Sequence, residues 1–422
     1  MTFLQNATCL KTRCKNKPLP SSYIYTQKIV SKGEFYLTAY FDTYHQSLDY
    51  LNLILQITNE YPCAHSKRSP LHRAGTMSDV GDLPKATDES GKSAQASAEE
   101  DNEKQEQDSF EIDEIEISDR ESEDIDINHR RIKRISKLET LPNARKLCLR
   151  NNLIKVIENL GPLADILIDL DLYDNQITKA SCSPPIENLE VLRVLEVLDL
   201  SYNRIRVIEN LDSLRSLTKL YLVNNKISRI ENLSTLTNLT MLELGANKIR
   251  KLENLENFPN LEELFVGNNK ITKLEGLENL PRLRILSLQC NRITKLEGLD
   301  KLLNLEELYL SFNGISRIEG LDNLVKLQTL ELSRNRISQI ENISHLVKLE
   351  EFWFNDNLVA EWDQLNILAP MKQLKTLYME RNPIYYAPNS KCMNTAYRRK
   401  ILLLLPWLRQ LDATLTGVGL RS

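Results

Sequence analysis

Histidine, glycine and paired cysteine are scarce in this sequence, and each shortage removes a class of chemistry. Only five histidines occur in 422 residues, His45, His65, His72, His129 and His345, and none accompanies a plausible nucleophile. There is no His-Glu-x-x-His pair, no glycine-rich phosphate loop and no paired-cysteine metal spacing, so neither an enzyme nor a cofactor is expected. Cys63 and His65 stand as an isolated pair rather than a ligand set. The seven cysteines, Cys9, Cys14, Cys63, Cys148, Cys182, Cys290 and Cys392, are odd in number and scattered. Secreted repeat proteins usually carry disulfide-rich ends, so a reducing compartment is expected. No apolar run is long enough to cross a bilayer, and the first residues lack a signal-peptide layout, so no membrane partner is expected. A net charge of −4 with a pI near 5.9 lacks the positive excess of an electrostatic nucleic-acid binder.

What the sequence has in abundance is leucine at fixed intervals. Asn203, Asn225, Asn247, Asn269, Asn291, Asn313, Asn335 and Asn357 stand 22 residues apart, each preceded by Leu-x-x-Leu-x-Leu-x-x or a close variant. This is the leucine-rich-repeat signature. One unit runs Leu217, Leu220, Leu222, Asn225, Ile227, Ile230, Leu233 and Leu236. A single unit cannot bury these side chains, whereas stacked units cover each other's apolar flanks, and the asparagine amides satisfy the backbone at each turn. The expected fold is an α/β solenoid with a parallel concave sheet, a short helical or 3-10 convex side and a C-terminal cap.

Taken in order, residues 1–76 mix Cys, Tyr and His without a clear period and read as an atypical extension that is not compactly folded, with a short strand-like or helical piece near 50–57. Met77 reads as the usual translation start. Residues 77–124 are rich in Glu, Asp, Ser, Lys and Gln, bury too little to offset ordering entropy, and are expected to be disordered. The solenoid is placed at 125–382, opening on a degenerate unit in which Arg130 stands where asparagine belongs. The 28-residue spacing between Asn175 and Asn203 places a convex loop at 180–185. Residues 383–422 form a cap and tail: Pro383 stops regular pairing, an amphipathic helix starts near Tyr397, and a last strand ends near Asp412.

Strand alternation turns positions into faces. The two leucines around each middle strand residue point into the core, so the residue between them faces the concave side. That column reads Cys148, Asp171, Asp199, Tyr221, Glu243, Phe265, Ser287, Tyr309, Glu331, Trp353 and Tyr378. From Tyr221 to Trp353 an aromatic falls at every second repeat, rings roughly 10 Å apart at a strand spacing of about 4.8 Å. Core packing does not explain this column. Strand propensity alone is the plainer reading, but an exposed aromatic row flanked by carboxylates better fits a protein-binding face whose partner carries basic patches. The partner-binding candidates are Asp199, Tyr221, Glu243, Phe265, Tyr309, Glu331, Glu351, Trp353 and Tyr378, with Trp353 the leading hot spot. Elsewhere Arg229, Lys251, Lys273, Lys295 and Arg317 run beside Glu231, Glu253, Glu275, Glu297 and Glu319, a solubilising charge ladder rather than an anion stripe.

Three features carry a resemblance: the 22-residue unit with Ile-Glu-Asn-Leu or Leu-Glu-Gly-Leu after its asparagine, the phrase from Glu351 through Phe352 and Trp353 to Asn357, and the Glu380-Arg381-Asn382-Pro383 to Tyr397-Arg398-Arg399-Lys400 cap. Over about residues 120–415 the chain resembles the nuclear leucine-rich-repeat regulatory subunits of protein phosphatase 1, the regulatory subunit 7 family. The resemblance implies a non-catalytic subunit holding the phosphatase catalytic subunit on its concave face and affecting its maturation, substrate choice and mitotic roles. It implies a chain monomeric alone, found in nucleus and cytoplasm, with room for a third protein such as phosphatase inhibitor 3. The contacts it implies fall on Asp199, Tyr221, Glu243, Phe265, Glu331, Glu351, Trp353 and Tyr378, with Tyr221 and Glu331 conservative departures from a phenylalanine and an aspartate. The segment around Cys182 and the extra residues between Tyr385 and Ala396 depart from the family pattern. The alternative reading is a scaffold of a ribonucleoprotein or cytoskeletal complex that binds a protein on the same face.

Overall fold

The structure is a computed structural model describing residues 25–31, 34–40, 110–178 and 189–418. The chain divides into two units, Met1–Thr87 and Asp88–Ser422. In the first, strands β1 (Tyr25–Ser31) and β2 (Glu34–Tyr40) pair antiparallel, with Tyr25 opposite Tyr40 and Ser31 opposite Glu34. Inside the extension expected not to fold compactly, this two-stranded pairing is a local element. The piece expected near 50–57 lies outside the described residues.

The second unit is built on one 14-stranded sheet whose spatial order follows the sequence. Its strands begin with β3 (Asp124–Asp126), β4 (Lys146–Cys148), β5 (Asp169–Asp171), β6 (Val197–Asp199), β7 (Lys219–Tyr221) and β8 (Met241–Glu243). They continue with β9 (Glu263–Phe265), β10 (Ile285–Ser287), β11 (Glu307–Tyr309), β12 (Thr329–Glu331), β13 (Glu351–Trp353) and β14 (Thr376–Tyr378). From β3 to β14 every neighbour pair is parallel and in register, so Tyr309, Glu331, Trp353 and Tyr378 stand side by side. The convex side is mostly turns with short 3-10 pieces such as Leu138–Thr140 and Trp362–Leu368.

Each turn of the solenoid closes on its asparagine. Asn225 Oδ1 accepts the Ile205 N–H at 2.9 Å, and its Nδ2 donates to the carbonyls of Leu200, Leu222 and Val223 at 2.9, 3.3 and 3.2 Å. The same pattern recurs from Asn152 to Asn357, so a buried amide satisfies backbone groups that no strand reaches. The residue before each of these asparagines is left-handed, including Tyr202, Cys290 and Phe312. A second left-handed position, seven residues after the ladder asparagine, is filled by Asn or Gly. Asn232 there donates Nδ2 to Ile208 O at 2.7 Å, while at Gly298, with φ +68°, an added Cβ would stand 2.6 Å from Leu274 O.

The ordered unit begins ahead of the expected boundary at 124. Ile112 and Ile115 are buried against the first repeat, and Arg120 donates to the carbonyls of Ile112, Asp113 and Ile115. The alternating isoleucines that end the acidic segment thus supply an apolar lid, which average composition conceals; residues 77–109 lie outside the described residues. The expected loop at 180–185 also lies outside them.

At the other end, helix α1 (Tyr397–Leu404) packs buried Tyr397 and Ile401 on the last repeat, and β15 (Gln410–Leu411) extends the sheet beside β14. β16 (Thr414–Leu415) then turns back antiparallel. Asp412 takes the role of a ladder residue, its Oδ1 accepting from Met379 and Glu380 N–H at 2.8 and 2.9 Å. The extra residues after Tyr385 form a small hairpin, with Tyr386 bridging Met393 and Ala387 N–H donating to Cys392 O.

Candidate partner-binding face

The middle residue of each strand, such as Leu220 or Leu264, is buried, and its two neighbours stand on the concave side. Asp199, Tyr221, Glu243, Phe265, Glu351 and Tyr378 are half-buried there. Tyr309, Glu331 and Trp353 differ from the expected exposed row. They are 4%, 0% and 8% exposed. The rings lie along the sheet and not out from it. Trp353 stacks on Tyr378 with centroids 4.9 Å apart and donates Nε1–H to Glu351 Oε2 at 3.3 Å, while the Tyr309 hydroxyl donates to Glu307 Oε2 at 2.5 Å. Their neighbours cover what remains, and alternation along a strand carries no information about this lateral packing.

The floor between these rings is polar. Ser287 Oγ donates to Gln289 Oε1 at 2.8 Å, and Gln289 Nε2 donates to Glu331 Oε2 at 2.8 Å. Burial pushes the Glu331 carboxyl up to about 7, against the lowering effect of hydrogen bonds from Gln289 and Ser311. Glu243 is pushed up to about 7 by burial, with Asp199 and Glu263 adding like charge. Asp199 rises to about 6 through burial and the Asp171 carboxylate, although Ser201 and Arg150 oppose this. The face therefore holds carboxyls whose ionisation is disfavoured by burial and, at Glu243 and Asp199, by neighbouring acids.

Two clusters were not foreseen in the sequence reading. Arg150 binds the Asp171 carboxylate, reaches Asp199 at 3.5 Å and lies 4.9 Å over the Tyr173 ring, which stacks on Tyr202 at 4.7 Å. Arg381 clasps Asp356 with two hydrogen bonds of 2.7 and 2.8 Å, and Arg334 reaches the same carboxylate at 3.5 Å while covering the Phe312 ring at 4.4 Å. Tyr202, Phe312, Arg334, Asp356 and Arg381 occupy the left-handed position before each ladder asparagine. Large residues at a position that suits small or amide side chains were the available signal.

The charge ladder is present as exposed pairs, with Arg229 to Glu253 at 3.3 Å, Lys295 to Glu297 at 3.4 Å and Arg317 to Glu341 at 3.1 Å. Among the described residues no group of three or more His, Cys, Asp or Glu side chains is arranged to hold a metal ion.

A parallel sheet stacked in sequence order, an asparagine at every turn and a side chain-rich concave face define a leucine-rich-repeat protein. Residues 215–257, 259–301 and 303–345 match the family described as Leucine Rich repeats (2 copies), and residues 187–227 match Leucine rich repeat. Among curated proteins, the chain is similar to protein phosphatase 1 regulatory subunit 7 of Homo sapiens, 51% identical over 92 residues that cover 22% of this chain and 24% of the relative. The Xenopus tropicalis protein of the same name is 55% identical over 54 residues, 13% of this chain and 15% of that one. The matched stretch thus spans about a quarter of the human relative or less. Among solved structures, an internalin (inlF) from Listeria monocytogenes aligns with a TM-score of 0.57 at 25% identity, covering 68% of this chain and 79% of that one. A leucine-rich-repeat protein of Leptospira interrogans aligns with a TM-score of 0.52 at 25% identity, covering 65% of this chain and 73% of that one.

Proposed function

We propose that this chain is a non-catalytic regulatory subunit that binds the catalytic subunit of protein phosphatase 1 on its concave face and adjusts its activity, maturation or substrate choice. The supporting observation is the coincidence of the named relatives with a face that combines rings and under-compensated acids. Asp199, Tyr221, Glu243, Phe265, Tyr309, Glu331, Glu351, Trp353 and Tyr378 are its contact residues. Tyr221, Phe265 and Tyr378 supply half-buried ring surface, and the acids select a basic partner surface. The chain acts as a monomer in nucleus and cytoplasm, and a third protein such as phosphatase inhibitor 3 joins the bound phosphatase.

Affinity capture from cell extract with mass spectrometry tests this reading. Recovery of the phosphatase catalytic subunit is the expected result. Recovery of spliceosomal or cytoskeletal proteins without it would replace this reading by the scaffold alternative.

A further inference from the structure

The concave face contains a carboxylate that the fold leaves incompletely served. Glu331 is fully buried, Gln289 donates to its Oε2, and its Oε1 meets no donor among the described residues. Register places Tyr309 of β11 and Trp353 of β13 on either side of it. Each ring is turned toward an acid on its own strand, Tyr309 toward Glu307 and Trp353 toward Glu351. The groups facing Glu331 are therefore two rings, the Gln289 amide, the Ser311 hydroxyl and two further carboxylates. No ion pair to its carboxylate is present among the described residues. A buried carboxylate with an unserved oxygen is costly when ionised and much less so when protonated, since the added O–H removes the charge.

Glu243 stands four strands earlier, half-buried, with a ring on the strand to either side of it. On β7 it faces Tyr221 and Lys219, on β9 Phe265 and Glu263, and beyond Tyr221 stands Asp199. Lys219 acts on Glu263, and the charged groups that weigh on Glu243 are Asp199 and Glu263, both acidic. Among the described residues neither Glu243 nor Glu331 forms an ion pair, whereas Asp171 and Asp199 share Arg150, and Asp356 has Arg381. The face thus holds acids paired with an arginine by the fold and others, Glu243 and Glu331 among them, that are not.

We propose that docking on the concave face exchanges protons for cations: lysine or arginine side chains of the partner replace the protons that Glu243 and Glu331 carry when the face is empty. The exchange breaks one carboxyl O–H bond at each site, passes the proton to solvent and forms one ion pair, with no other change in bonding. The partner side chain reaches Glu331 as the Tyr309 ring swings aside, giving up its hydrogen bond to Glu307. Complex formation is then tighter at higher pH, in the direction set by release of protons on binding.

This inference rests on the phosphatase reading, and calorimetry of the full chain with the phosphatase 1 catalytic subunit separates the two. Titrations at pH 6, 7 and 8, each in buffers of differing ionisation enthalpy, are expected to show proton release. Affinity should rise about tenfold from pH 6 to 8 for one exchanging carboxyl and about a hundredfold for two. The Glu243→Gln, Glu331→Gln double variant keeps the shape of the protonated side chains and should lose the part of the profile that these two carboxyls contribute, any titration of the phosphatase being common to both proteins. Binding without proton release, or a profile unchanged in the double variant, overturns the exchange and leaves the phosphatase reading standing. Absence of a complex at every pH overturns the phosphatase reading and this exchange with it. Carboxyl carbon NMR of the free protein decides the protonation state on its own: transitions of Glu243 and Glu331 near pH 7 support it, and transitions near pH 4.5 overturn it.

Discussion

The Trp353 indole lies against the Tyr378 ring across adjacent parallel strands, with centroids 4.9 Å apart and planes inclined by 39°. The contact makes Trp353 at once part of the packed sheet and part of its concave surface. Trp353→Ala is expected to weaken binding of the phosphatase catalytic subunit by about 2 kcal/mol or more, as truncation of an aromatic hot spot does. It should also lower the melting temperature, because the ring pair contributes about 0.5–1.5 kcal/mol beyond area burial. Trp353→Phe should retain most of the stability while losing the hydrogen bond to Glu351. Calorimetric affinity unchanged in Trp353→Ala would remove this residue from the contact surface.

The asparagine ladder gives a stability prediction independent of any partner. Asn269 accepts from Ile249 N–H and donates to Leu244, Val266 and Gly267 carbonyls in one buried turn. Asn269→Ala strands several backbone groups, at about 1–3 kcal/mol for a buried group left unsatisfied. Urea denaturation should show a loss of at least that size.

Glycine substitution separates backbone geometry from composition. Gly298→Ala places a methyl 2.6 Å from Leu274 O at a φ of +68° and should destabilise by more than about 1 kcal/mol. At Gly161 an added Cβ meets nothing within 4 Å, so Gly161→Ala should leave the urea midpoint nearly unchanged. Equal effects at the two sites would show that left-handed closure does not limit the repeat.

Stability of the free chain should depend on pH in a direction fixed by its buried acids. The folded Glu331 and Glu243 carboxyls sit near 7, above their ordinary value of 4.5, so the folded state holds protons that the unfolded chain releases. Their contribution is therefore fully present below about pH 4.5 and is lost as pH rises through 7. Asp356 acts oppositely: burial raises its carboxyl, but Arg381, Asn355 and Arg334 together outweigh burial and hold it below its ordinary range, so its contribution is lost in acid. Thermal melts from pH 5 to 8 should show stability falling between pH 5 and 7 and levelling above 7, and Glu331→Gln should reduce that fall. A rise in stability from pH 5 to 8 in both proteins would contradict this assignment.

The C-terminal cap should set how far the last repeats fray. Asp412 accepts two backbone N–H bonds from Met379 and Glu380, the two residues after β14, and a third bond from the buried Tyr397 hydroxyl at 3.0 Å. Asp412→Ala should raise amide exchange around Met379 and Glu380 while leaving Leu220 to Leu264 protected, since each repeat contacts mainly its neighbours. Uniform loss of protection would instead mean that the solenoid unfolds as one cooperative body.

The sequence by itself determined the solenoid, because a 22-residue period of leucines with an asparagine at each turn admits one way of burying both side chains and backbone groups. It also determined which residue of each unit faces the concave side, because alternation along a strand is local geometry. The folding of Ile112 and Ile115 onto the first repeat depended on where the acidic segment could reach. The burial of Tyr309, Glu331 and Trp353 depended on neighbours one and two repeats away, such as Tyr309 beside Glu331 in the sheet and Gln289 42 residues before it. Lateral packing is a relation between repeats, so only the tertiary structure decided which acids of the concave face are paired with an arginine.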